Sequence, residues 1–222
     1  MDIIILLIII LLTIMSEVFV KVNYNIYRKR EVKSNYTGKD VCEKILSSNG
    51  INDVEIGKQE GVMTDYYDSR SDVIMLSSEV YEDSSISSVS IAAHECGHVL
   101  QYYNNYFPIK LRNMIVPFIN FSSKLGYIII IISLFTSISK LYIVGLILIS
   151  LVIIFQLITL PIEYDASRRG KKMLMELGII DKDEKRGVRK VLSSAAFTYL
   201  ASFLSSLLEL IWRIILIKNE ND

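Results

Sequence analysis

Four apolar stretches divide this chain and dictate its solvent. Residues 2–20 open with an uninterrupted apolar run at 3–12, residues 114–160 are apolar almost throughout with a break at 137–140, and residues 191–217 form the last stretch. A helix needs roughly 20 apolar residues to cross the hydrocarbon core of a bilayer, and each half of 114–160 supplies that many. With 51% of its 222 residues hydrophobic, the chain is expected to be an integral, multi-pass membrane protein with a modest soluble part. The first run has no basic residue before it and no clear small-residue cleavage site after it, so it reads as an uncleaved transmembrane helix. The expected organisation is a first span at 1–20, a soluble part at 21–112, a transmembrane hairpin at 113–161, a polar helical segment at 162–190 and a fourth span at 191–217.

The soluble part has an α+β pattern. Thr37 is placed to cap a helix over 38–48, with Asp40 at the third position completing a partial capping box, and Asn49-Gly50 ends it. Short strands are expected at 54–56, at 61–67 and, most clearly, at 72–76. From about Ser84 the apolar spacing turns helical (Ile86, Val89, Ala92, Cys96, Val99, Leu100) and continues to about Tyr103, with Asn104-Asn105 and Pro108 closing it.

That helix carries both of the chain's histidines, His94 and His98, with Glu95 between them. Residues four apart stack on one helical face, so the two imidazoles can grip one metal ion while the glutamate reaches a water on it. Cys96 falls about 200° round the helix from His94 and points away. A catalytic zinc takes three protein ligands and keeps one open position, and no third histidine exists. A carboxylate or Cys42 must complete the set. Glu163 is the best candidate, because it lies just past Pro161 where a helix can begin; simple helix-start electrostatics for Glu163 and Asp165 is the bland alternative.

Topology adds an independent argument. Two apolar spans separate His98 from Glu163, and an even number of crossings returns the chain to the same membrane face. Lys and Arg gather on that face, and the positive-inside bias makes it cytoplasmic, with both termini outside. These features predict one Zn²⁺, with Glu95 as general base toward a peptide bond. The strand at 72–76 is expected to receive an extended peptide by β-addition. The oxyanion donor is not identifiable from the residues.

Three blocks carry a family likeness: 94–101 (His-Glu-Cys-Gly-His-Val-Leu-Gln), 156–167 (Gln-Leu-Ile-Thr-Leu-Pro-Ile-Glu-Tyr-Asp-Ala-Ser) and 191–199 (Val-Leu-Ser-Ser-Ala-Ala-Phe-Thr-Tyr). Together they resemble the bacterial membrane-bound neutral zinc metallopeptidases of the YugP type over nearly the whole chain. More distantly, 163–168 is similar to the Glu-x-Glu-Ala-Asp-Arg block of HtpX-like and CAAX-prenyl membrane proteases. The resemblance implies a zincin-like fold of the gluzincin kind, with Glu163 as third zinc ligand. Where those proteins carry a supporting aspartate four positions later, this chain has Ser167, a weaker orienting partner.

The leading expectation is therefore a membrane-embedded zinc endopeptidase acting on peptides or membrane proteins at the cytoplasmic face of the plasma membrane. Two other classes compete. A catalytically inactive, metal-stabilised scaffold has no use for Glu95, and a metal transporter would need charges in the spans that line up with the histidines, whereas the few there, such as Lys124, Glu209 and Arg213, do not line up with them in sequence. A formal net charge of zero gives nucleic acid no electrostatic footing. Oligomeric state leaves no mark in the sequence.

Overall fold

The computed structural model describes residues 2–136 and 138–221. Met1, Ser137 and Asp222, which belong to the outer segments and to the break used in the topology argument, lie outside the described residues. Contacts divide the chain into two compact units.

The first unit gathers residues 2–16, 107–161 and 198–221. Its regular structure among the described residues is helical, drawing on the start of α1 (Asp2–Arg28), on α5 (Phe107–Thr136), on α6 (Ser139–Glu176) as far as Pro161, and on the end of α7 (Lys185–Asn221). Among the described residues four helices are long and apolar enough to cross a membrane, over Ile3–Arg28, Phe107–Thr136, Lys140–Glu176 and Lys185–Leu216. Some polar side chains within these stretches find one another. Gln156 donates to Ser202 Oγ at 3.0 Å. Arg213 pairs with Glu209 at 2.6 Å and donates to the Tyr142 hydroxyl at 3.1 Å.

Pro161 does not start a helix, contrary to the sequence expectation. It sits inside α6, which runs unbroken through it. An apolar helix tolerates an internal proline that would break a short soluble one, because neighbouring packing re-satisfies the freed carbonyl. Glu163 and Asp165 are consequently deep in a long helix, and the helix-start explanation of both fails. Pro108 likewise opens α5 rather than only closing the helix before it, a position where the missing N–H costs nothing.

The second unit comprises residues 17–106 and 162–197. α2 (Gly38–Ser48) starts on the expected capping box: Asp40 N–H donates to Thr37 Oγ1 and Thr37 N–H to Asp40 Oδ2. Three strands follow, β1 (Glu55–Gln59), β2 (Tyr66–Asp68) and β3 (Val73–Ser77), in the order β1-β3-β2. β1 runs parallel to β3, pairing Glu55 with Val73, and β2 runs antiparallel, pairing Tyr67 with Ile74. The strand expected to receive substrate, β3, is therefore central, and both its sides are taken by neighbours. Its alternating Ile74 and Leu76 point into the core, which is why the middle position suits it.

α3 (Ser78–Glu82) is tied to α1 by Glu79, which accepts from the Tyr24 hydroxyl at 2.8 Å and pairs with Arg28. α4 (Ile86–Tyr103) begins on Ser85, whose hydroxyl caps Ser88 N–H, and ends on Asn104. Val89, Ala92, Cys96, Val99 and Leu100 join Val41, Ile45, Ile74, Leu76 and Val80 in the core. α4 is thus a buried central helix, and what it carries on its remaining face meets α6.

Candidate metal centre

α4 and the 162–176 part of α6 cross antiparallel at the distance of bare backbone. A Cβ added at Gly97 would lie 2.3 Å from the Ala166 carbonyl oxygen, and one at Gly170 would lie 2.3 Å from that of Ala93. One turn further on, Gln101 reaches the Ile162 carbonyl at 2.8 Å. Small residues on both helices thus let the main chains touch turn by turn. Ile162, Ala166 and Leu174 are fully buried on the same face of α6.

This approach brings two pairs of stacked residues together. His94 and His98 lie one turn apart on α4, with ring centroids 4.8 Å apart and planes at 78°. Glu163 and Ser167 lie one turn apart on α6. Glu163 Oε2 stands 3.2 Å from His94 Nε2 and 3.5 Å from His98 Nε2. The three donor atoms all fall within 4.8 Å of one another, and Glu163 is buried. Two imidazole nitrogens and one carboxylate oxygen are a donor set that zinc accepts, with room in its usual tetrahedron for a fourth ligand.

The far sides of both rings are engaged. His94 Nδ1 lies 3.0 Å from Ser167 Oγ, and His98 Nδ1 lies 3.1 Å from Gln101 Oε1. The Gln101 amide orientation is forced. Its nitrogen donates to the Ile162 carbonyl at 2.8 Å and to Asp165 Oδ2 at 3.1 Å, both groups that can only accept. Its oxygen must then accept from His98 Nδ1–H, which leaves the Nε2 lone pair facing Glu163. Asp165 is held in turn by Arg168 and Arg169, each at 2.5 Å. Such supports fix a ligating imidazole's tautomer and ring plane.

Glu95 is buried beside these residues on α4. Burial pushes its carboxyl up to about 7; the charge of His94 opposes this and that of Glu163 adds to it. A hydrogen bond from the backbone of Tyr67 in β2 also reaches Glu95. β2 is an edge strand, paired only with β3 among the described strands. Cys42 and Cys96 are free and fully buried, and Cys42 Sγ faces the Ala92 carbonyl at 3.7 Å. Among the described residues the clustered donor set is His94, His98 and Glu163, without Cys42.

Two residues of the centre escape a reading by motif. Gln101 follows the second histidine by three positions on the same helix, a spacing that puts it on the histidine's face, but glutamine is no metal ligand and draws no attention. Asp165 reads as helix electrostatics until Gln101 and Arg169 are seen around it. Ser167, the weaker orienting partner expected from the sequence, stands against His94 Nδ1.

Comparison with known proteins assigns the chain a family. The family model described as "Putative neutral zinc metallopeptidase" matches residues 2–219. A protein of Bacillus subtilis (strain 168), described as "Putative membrane protease YugP", is 39% identical over 211 residues, covering 95% of this chain and 94% of that protein. No solved structure matches.

Proposed function

The chain belongs to the neutral zinc metallopeptidase family that matches it from end to end, and on that premise we propose that it is a membrane-integrated zinc endopeptidase with a zincin-like, gluzincin-type centre. His94, His98 and Glu163 are its metal ligands and Glu95 is its general base. The observation that carries this reading is the convergence of both histidine Nε2 atoms on Glu163, 65 residues further along the chain than His98, across two candidate spans.

When bound there, zinc supplies Lewis acidity toward a scissile carbonyl and lowers the pKa of a coordinated water toward ~7. The remaining chemistry belongs to the chain. The Ser167 hydroxyl and the Gln101 amide oxygen engage the two Nδ1 atoms and so orient each ring with Nε2 toward Glu163. Glu95, with its carboxyl brought close to neutrality by burial, takes a proton from the attacking water and returns it to the leaving amine. An extended peptide adds to the free edge of β2, the strand in contact with Glu95, in place of the paired strand β3.

The basic residues around 21–30 and 162–190 favour a centre on the cytoplasmic face of the plasma membrane, with 1–20, 113–161 and 191–217 as the spanning parts. Peptides or membrane proteins are the substrate class. The scaffold reading is disfavoured because a structural zinc closes its shell with four protein ligands and needs no base, whereas this donor set has three with a buried carboxylate at hand.

The test is a comparison of the purified protein with Glu95→Gln on an unfolded protein such as casein. The variant should retain zinc and lose cleavage by a factor of about 10²–10⁴. Cleavage equal to wild type removes Glu95 from the mechanism.

A further inference from the structure

Behind the metal centre, within the second unit, α6 and α7 frame an open cavity of about 250 Å³. Its wall on α6 is Tyr164, Arg168 and Lys171, and its wall on α7 is Arg189, Leu192 and Ser193. These spacings of three and four put each set on one helical face. Three cations line the cavity and no carboxylate does. Arg168 shares its charge with Asp165, but neither Lys171 nor Arg189 pairs with a carboxylate among the described residues, and Lys171 is half-buried. A half-buried ammonium beside two solvent-exposed guanidinium groups gives the cavity a positive field that favours an anion.

The cavity is also polarised along its length. α6 and α7 form a hairpin through 177–184. Lys171 and Arg189 lie nearest that connection. Tyr164 and Leu192 lie nearer the apolar runs that end at 160 and continue beyond 197. An occupant is therefore asked to present negative charge at one end and apolar groups at the other, next to a membrane. A basic pocket between helices at a membrane face suits a phospholipid head group, whereas a free inorganic phosphate would leave the apolar end unused. The tyrosine hydroxyl and Ser193 add neutral hydrogen-bonding capacity of the sort that glycerol oxygens use.

From this we infer that the cavity binds the phosphate-bearing head group of an anionic phospholipid, with Lys171, Arg189 and Arg168 as its cationic contacts. The occupant touches no metal ligand. It meets the centre through two residues that line the cavity, Ser167, whose hydroxyl faces His94 Nδ1, and Arg168, which pairs with Asp165. The site therefore requires neither bound zinc nor hydrolysis, and its failure would leave the peptidase reading intact.

Native mass spectrometry of the full-length, detergent-purified protein tests this with phosphatidylglycerol, phosphatidylcholine and inorganic phosphate as probes. Phosphatidylglycerol should bind about tenfold more tightly than phosphatidylcholine, and binding should survive zinc chelation. Lys171→Glu with Arg189→Glu should lower phosphatidylglycerol binding by about tenfold or more while zinc content and thermal midpoint stay at wild-type values, and the milder Lys171→Gln with Arg189→Gln provides the same reading should charge reversal disturb folding. Lys185→Glu with Arg186→Glu, on α7 but outside the cavity wall, should leave most binding in place. Equal retention of both lipids, equal loss in the two charge-reversed proteins, or full competition by inorganic phosphate at the lipid's own concentration would overturn the inference.

Discussion

Gly170 lies so close to Ala93 that a methyl group at its Cα would stand 2.3 Å from the Ala93 carbonyl oxygen. The contact matters because the next residues along each helix are the metal-ligand candidates. One turn of α6 before Gly170 comes Ser167, and one more comes Glu163; on α4, His94 directly follows Ala93. The absence of a side chain at 170 thus sets how closely the glutamate approaches the imidazoles.

Gly170→Ala is predicted to force α4 and α6 apart. The overpacking should cost about 1–3 kcal/mol of stability. Zinc affinity should fall by about tenfold or more, because Glu163 moves with the helix. Chelator competition and thermal melting measure the two effects. Wild-type zinc affinity in this variant would show that helix separation does not govern the centre.

Gln101→Leu should weaken zinc binding about 10–100-fold with little change in side-chain volume. It strips His98 Nδ1 of its acceptor and leaves the Ile162 carbonyl and Asp165 short of a donor. Ser167→Ala should act in the same direction through His94. Binding of zinc at wild-type strength by Gln101→Leu would reduce the amide to a packing role.

Much of this centre was legible in the residues, and the part that was not has a physical reason. Histidines four apart with an intervening glutamate announce their own helix, and Glu163, the carboxylate offered after the long apolar runs, stands beside them. The capping box at Thr37 and Asp40 is equally local. Pro161 misled, because local propensity describes a soluble helix and not one that continues into an apolar bundle. The central place of β3 was hidden because its flanks, β1 and β2, are short and polar, and strand order depends on contacts that no local pattern records. Gln101 and Asp165 act on His98 from two different helices, so their partnership exists only once α4 and α6 have packed.

The metal-free protein should lose stability as pH rises from about 4.5 to about 7. Burial raises the Glu95 carboxyl from 4.5 to about 7, so the folded state holds that proton more tightly than the unfolded chain does. The stabilisation is complete below the unfolded value and is lost as pH climbs through the folded one. The contribution is on the order of 3 kcal/mol. Melting of chelator-treated wild type and Glu95→Gln across this window isolates it: the difference between the two curves should change with pH, and parallel curves would remove Glu95 as the source.

Both thiols should resist modification in the folded protein. Cys42 and Cys96 are fully buried, and the hydrogen bond between them together with burial holds the Cys42 thiol well above its ordinary range. A disulfide-exchange reagent should register no fast thiol natively and two after unfolding. A cysteine that reacts at the rate of a free thiol without unfolding would contradict the packing of α2 against α4.

Zinc K-edge absorption on the purified protein, read beside total zinc content, reports the ligand set itself. One zinc per chain is expected, with two imidazole ligands and oxygen in the remaining positions, and a Glu163→Ala variant should fold but lose most of its zinc. Full zinc occupancy with an unchanged spectrum in Glu163→Ala, or sulfur among the ligands of the wild-type protein, would contradict this ligand set.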